Sequence, residues 1–233
     1  GPIIMGPEVE KMERKLAKYL NAKYALLTGS GTDSILLALL AIGIKRGDEV
    51  ITTPLSWITS ATPITLLGAK PVFVDIKNDL NIDEKKIEIK INKNTKAILP
   101  VHFTGNPCSI NIIKKIAKKF KLKLIEDCAQ AFGTKLLNNY CGTFGDIGCF
   151  SLNPMKNLNA SGEAGLVTTN NKNLYEKMKI LRYAGTKNKT TCIYSSINLK
   201  PDTIQTIFLN QSLKEFKSKI KLKNKFAKHY IKN

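Results

Sequence analysis

The chain has no apolar run long enough for a bilayer, almost no arginine and no paired-cysteine motif. Its longest apolar stretch, ILLALLAIGI at 35–44, falls far short of the roughly 20 residues a membrane-spanning helix requires. No signal-peptide pattern opens the sequence, so the expectation is a soluble cytoplasmic protein without a membrane partner. Cys108, Cys128, Cys141, Cys149 and Cys192 form an odd set without a C-x-x-C pair. That pattern argues against a disulfide framework or a zinc site and fits a reducing compartment. Internal repeats and low-complexity linkers are also missing.

The scarcity of arginine bears on the charge. Lysine and arginine total 37 against 18 aspartates and glutamates, a formal net charge of +19. Such a surplus draws polyanions at long range. Yet only Arg14, Arg46 and Arg182 carry the planar guanidinium that reads bases and phosphates best. Lysine is mixed with asparagine and isoleucine throughout, as in a general compositional bias. In NIIKKIAKKF the pairs Lys114/Lys115 and Lys118/Lys119 recur four residues apart, opposite Ile112, Ile113, Ile116 and Ala117. This predicts a solvated helix face, and no nucleic-acid partner is expected.

What is present is enough apolar material, 43% of 233 residues, for one large domain and the start of a second. KYALLT (23–28), EVITT (49–53), PVFVD (71–75), KAILPV (96–101) and LKLIED (122–127) read as strands. Between them lie a helix after SGTDS with Ser30 or Thr32 as its cap, a helical stretch at 57–67 and the lysine-faced helix. Nearly continuous apolar strands alternating with helices predict a three-layer α/β/α fold around a mostly parallel sheet. After Asp127 come a hairpin in GTKLLNNYCGTFGD, strands near GCFSL and GLVTT and a helix at 174–183. A long helical pattern then starts behind an Asp202 cap, so the expected division is a large domain, 1–200, and a helix, 201–233, leading toward a second.

Ligands of open α/β sheets bind beyond the carboxyl ends of the strands. Four stretches of this sequence fall there. TGSGTDS precedes a helix, so Gly31 and Thr32 offer amides to a phosphate, or else the stretch is a plain turn with a cap. Asp127 ends an apolar strand with Gln130 three residues on; it needs a cationic partner such as a heteroaromatic N–H, or serves as a helix cap or a salt bridge to lysine. Trp57, the one tryptophan, stacks on a planar ligand or packs in the core. In FSLNPMKN, Ser151 ends a strand and Lys156 follows a proline-directed turn. Shielded from water, such a lysine is an amine nucleophile toward a carbonyl; unshielded, it is one more surface charge.

In order and spacing, these motifs resemble the DegT/DnrJ/EryC1/StrS family of sugar aminotransferases. The likeness runs almost end to end, through GPEVEKMERKLAKYLNAKYALLTGSGTDS, GAKPVFVDI, TKAILPVHFTGNP, LIEDCAQAFGT, FGDIGCFSLNPMKNL and GEAGLVTTN. The resemblance implies the pyridoxal-phosphate-dependent fold type I, as in aspartate aminotransferase. It implies that Lys156 bonds pyridoxal 5'-phosphate and shuttles protons, and that Asp127 pairs with the ring nitrogen. Gln130 then meets the ring hydroxyl, Trp57 stacks on the ring, and Gly31, Thr32 and Ser151 hold the phosphate. Asn198, in INLKPDTIQ, matches an asparagine lent across a homodimer interface, and Glu163 falls near the substrate. The implied reaction moves an amino group from glutamate or glutamine, through pyridoxamine 5'-phosphate, to a nucleotide-linked keto-sugar. Lys200 stands where the family more often has arginine, MKN replaces a more usual small residue before the lysine, and family members extend past this C-terminus. A dehydratase branch, which has histidine where Lys156 stands, and a shortened binding or regulatory module are the alternatives.

Overall fold

The protein is described by a computed structural model covering residues 2–188 and 190–232. Helix α1 (Pro7–Leu20) leads into β1 (Tyr24–Thr28), α2 (Gly31–Ile42), β2 (Glu49–Thr52), a short turn of helix at 58–60, α3 (Thr62–Leu66) and β3 (Lys70–Phe73). There follow β4 (Thr95–Ile98), α4 (Ile110–Lys119), β5 (Lys123–Asp127) and the hairpin β6 (Lys135–Leu136) with β7 (Asn139–Tyr140). Then come β8 (Ile147–Ser151), β9 (Gly165–Thr169), α5 (Lys172–Arg182), the small pair β10 (Thr186–Lys187) and β11 (Thr191–Cys192), and α6 (Gln205–Lys232).

Seven strands form the central sheet in the order β1-β9-β8-β5-β4-β2-β3. Pairings from β3 through β2, β4 and β5 to β8 are parallel, whereas β9 runs antiparallel to both β8 and β1. The sheet is therefore mostly parallel, with one reversed strand. Side chains alternate between its faces. Leu26, Val50, Ala97, Ile125, Ile147, Cys149 and Val167 pack with α2 and α5. Ala25, Leu27, Phe150 and Leu166 face the other way, toward α1 and the first turns of α6, and Ile51, Ile98 and Leu124 face α4. This gives the three α/β/α layers.

α2 is apolar on nearly every side because it is enclosed by the sheet, α3 and α5. Ser30 caps it, its hydroxyl accepting the Asp33 N–H at 3.0 Å, and Gly43 ends it in the left-handed region at φ +86°. On α4 the lysines are exposed as expected, but Ile110 rather than Ile112 joins Ile113, Ile116 and Ala117 inside; Ile112 faces outward. The helical period explains the correction, since 110, 113 and 117 share a face and 112 lies about 100° from 113. At the start of α6, the Asp202 carbonyl receives the Gln205 N–H at 3.2 Å, in place of the expected side-chain cap. All five cysteines are free, and no described helix is long and apolar enough to cross a membrane.

Candidate active site

Beyond the carboxyl ends of β5 and β8 the chain gathers most of the polar residues singled out above. Asp127 is the last residue of β5 and stands in register with Cys149 of β8, two positions before Ser151. At 3.3 Å per residue, Ser151 lies roughly 7 Å further along on the same face of the sheet. Gly31, the first residue of α2, is pressed against it: a Cβ at Gly31 would lie 2.6 Å from the Ser151 Cβ. Only glycine allows the helix N-terminus, with its free amides at Gly31 and Thr32, to approach the strand end so closely.

Asp127 is buried. Its Oδ2 accepts the Ser60 hydroxyl at 2.7 Å and its Oδ1 the Ala129 N–H at 3.0 Å, while Ser60 in turn is 2.7 Å from the Ser56 hydroxyl. No ion pair within 4 Å reaches this carboxylate among the described residues, which excludes the salt bridge to lysine. Burial pushes Asp127 above the ordinary carboxylate range, opposed by Ser60, Ala129, His102 and Lys156. The group carries a negative charge at neutral pH only against a desolvation cost, and Lys156 is near enough for its charge to be felt there.

Lys156 is half-buried and sits at the fourth position of a turn. Its N–H donates to the Asn153 carbonyl at 3.0 Å, and the Asn153 side chain accepts the Met155 N–H at 3.0 Å. Pro154 occupies the second position, where its fixed φ suits such a turn. Met155 contributes no packing, being 90% exposed; Pro154 and Asn153 shape the turn. Gln130 has its side-chain oxygen committed to the Thr104 N–H at 2.9 Å, leaving its NH2 free to donate.

Trp57 and Asn198 are both exposed. Trp57 is 74% exposed and so is not a core residue; from its own segment it is Ser60 that reaches Asp127. Asn198 is exposed beside the Gly29 turn, where the Leu199 carbonyl accepts the Gly29 N–H at 3.2 Å. Glu163 is likewise exposed, close enough to Asp33 of α2 to raise its pKa together with burial, the larger cause. Lys200 packs its ammonium 4.3 Å from the centre of the Tyr183 ring. Ser60, Thr104, Asn153 and the buried pair His102–Glu126 are the contributors that sequence reasoning missed. Only Ser60 and Asn153 carried any signal, as a hydroxyl three residues after Trp57 and an amide next to Pro154.

The sequence profile of the DegT/DnrJ/EryC1/StrS aminotransferase family matches residues 1–233. The chain belongs to that family. It is 39% identical over 232 residues to a dTDP-3-amino-3,6-dideoxy-alpha-D-galactopyranose transaminase of Aneurinibacillus thermoaerophilus, covering 99% of this chain and 64% of the relative. A DegT DnrJ EryC1 StrS aminotransferase from Brucella abortus superposes with a TM-score of 0.94 at 32% identity, covering 99% of this chain and 64% of that one. NtdA from Bacillus subtilis, solved with bound cofactor PMP, superposes with a TM-score of 0.82 at 38% identity, covering 90% and 48%. Members of the DegT/DnrJ/EryC1/StrS family thus share the three-layer, fold type I architecture seen here. This chain spans 48% to 64% of the lengths of these three relatives.

Proposed function

We propose that the protein is a pyridoxal-phosphate-dependent aminotransferase that moves an amino group from glutamate or glutamine to a nucleotide-linked keto-sugar. The observation that carries this reading is Asp127: a buried carboxylate with two neutral donors and no ion pair among the described residues, facing the turn of Lys156. A cationic ring N–H is the partner such a carboxylate lacks. The residues fit the cofactor, and the sugar substrates named for its relatives support the rest. Bound pyridoxal phosphate supplies an aldehyde and a ring that accepts electrons from a broken C–H bond.

The chain's own groups have definite tasks in this reading. Asp127 keeps a proton on the ring nitrogen, and Ser60 orients the carboxylate for it. Lys156 supplies at Nζ the amine that tethers the cofactor and the base that then moves a proton. Gln130, its oxygen held by Thr104, donates its NH2 to a ring hydroxyl. The amides of Gly31 and Thr32 and the Ser151 hydroxyl hold the phosphate, and Trp57, already solvent-facing, covers the ring. Asn198, exposed, serves the site of a second copy in a homodimer. Pyridoxamine 5'-phosphate is the cofactor's alternate form, the setting is cytoplasmic, nucleic acid and membrane are not partners, and the large domain ends near residue 200.

Mixing the protein with pyridoxal phosphate tests this. A visible absorption band should develop, and borohydride should bleach it and leave the label on a peptide containing Lys156. Added glutamate should then convert an unreduced sample to the pyridoxamine form. A colourless protein, or a label on another lysine, would refute the assignment.

A further inference from the structure

On the opposite face of the sheet from Asp127, a buried polar pair has no part in the tasks just described. Successive strand residues point to opposite sides, so Glu126 faces away from the crevice that Asp127 enters. Its Oε1 accepts the N–H groups of Phe144 and Gly145, each at 2.8 Å, and its Oε2 accepts the Gly142 N–H at 2.9 Å. The His102 Nε2 lies 3.0 Å from the same Oε2. The Cys108 N–H donates to the His102 Nδ1 at 3.2 Å, so the ring proton sits on Nε2 and donates to Glu126. His102 and Glu126 are both fully enclosed. Cys128 brings a third potential ligand atom within 4.8 Å of theirs, but both ring nitrogens and both carboxylate oxygens are engaged by protein hydrogen bonds. The cluster is a brace, not a metal site.

What it braces is the crevice. The His102 N–H holds the Asp127 carbonyl at 3.0 Å. His102 also begins the turn at 103–105 from which Thr104 orients Gln130. Through Gly142, Glu126 grips a loop packed on β8, since a Cβ at Gly142 would lie 2.3 Å from the Phe150 ring. From β8 the chain runs directly to Ser151 and the Lys156 turn. We propose that His102 and Glu126 are positioning residues for the cofactor pocket, holding the strand end that carries Asp127 in register with β8 and its lysine turn. This rests on the cofactor assignment above.

Two substitutions of one residue separate the roles. Glutamine's amide nitrogen reaches where Nε2 lies, and asparagine's oxygen where Nδ1 lies. His102→Gln therefore keeps the donor to Glu126, and His102→Asn keeps only the acceptor for Cys108. His102→Asn and Glu126→Gln should speed amide hydrogen exchange at Thr104, Gly142, Phe144 and Gly145. Each should weaken pyridoxal phosphate affinity roughly tenfold, the scale of a lost charge-assisted hydrogen bond shared between stability and binding. His102→Gln should restore most of that affinity. Glu13→Gln, which disturbs the buried Glu13–Arg182 pair elsewhere, serves as a control that lowers the melting temperature without altering affinity. Unchanged exchange at these amides, or His102→Asn destabilised like Glu13→Gln with wild-type affinity, would overturn the proposal. If Glu126→Gln does not fold, the two His102 variants decide the matter. Wild-type protein that takes up no pyridoxal phosphate would overturn the cofactor assignment itself, and this role with it.

Discussion

Replacing Gly31 by alanine should damage the protein at a helix start where alanine is ordinarily the better residue. The new Cβ would lie 2.6 Å from the Ser151 Cβ, 3.0 Å from its Cα and 3.2 Å from its Oγ. Carbon atoms pack best at about 3.5–4.0 Å, so α2 and the end of β8 must separate by about 1 Å. Neither side yields easily. Ser151 pairs with Gly165 of β9, and the body of α2 is enclosed by the sheet, α3 and α5. Overpacking of this kind costs about 1–3 kcal/mol, and alanine's helix propensity returns at most about 1 kcal/mol. A net loss of about 1–2 kcal/mol lowers the melting temperature of a domain this size by roughly 2–8 °C. The displaced amides should also weaken pyridoxal phosphate binding. Gly43→Ala makes the comparison: nothing lies within 4 Å of its Cβ, but φ is +86°. That variant should lose about 1–2 kcal/mol to backbone strain and keep its cofactor affinity. Thermal unfolding and a cofactor titration on both variants measure this. A Gly31→Ala protein that melts no lower than wild type and binds cofactor equally would refute the close-approach reasoning.

Asp127→Asn preserves shape while removing the charge. Cofactor affinity should fall about tenfold to a hundredfold, while the cofactor-free protein melts at or above the wild-type temperature, because the buried carboxylate is costly to charge. Retained affinity would count against the ring-nitrogen role. Glu13 is raised above its ordinary 4.5 by burial, against the pull of Arg182. The folded protein therefore holds that proton more firmly than the unfolded chain. The proton-linked part of its contribution is fully present below the unfolded value and is lost as pH rises through the folded one, while its contacts with Arg182 and the Leu27 N–H keep wild type above Glu13→Gln at neutral pH. The stability advantage of wild type over Glu13→Gln, followed by denaturant unfolding, should shrink from acid to neutral pH; an advantage that grows would reverse the assignment.

Much of the sheet was legible because buried strands leave apolar runs that end in functional residues. GLVTT reads as a strand at 165–169 and forms one there. LKLIED ends on Asp127 in both sequence and structure. By contrast α1 gives no such run: half of PEVEKMERKLAKYL is charged, and the pairing of its Glu13 with Arg182 is visible only once the helix is docked. Met155 shows that an apolar residue need not be buried: beside Lys156 its side chain faces solvent.

From the amino-acid order alone came the strand ends, the capped glycine turn, the prolyl turn before Lys156 and the family likeness. The first three are local properties, written in runs of fewer than ten residues, and the likeness rests on their order along the chain. Strand order, the reversal of β9 and the partners of Asp127 emerged only from the tertiary structure. Ser60 is 67 residues from Asp127, and hydrogen bonding between such distant groups depends on how the sheet is assembled. The pleat then sends Asp127 and Glu126, neighbours in sequence, to opposite faces, giving one carboxylate to the crevice and the other to the scaffold beneath it.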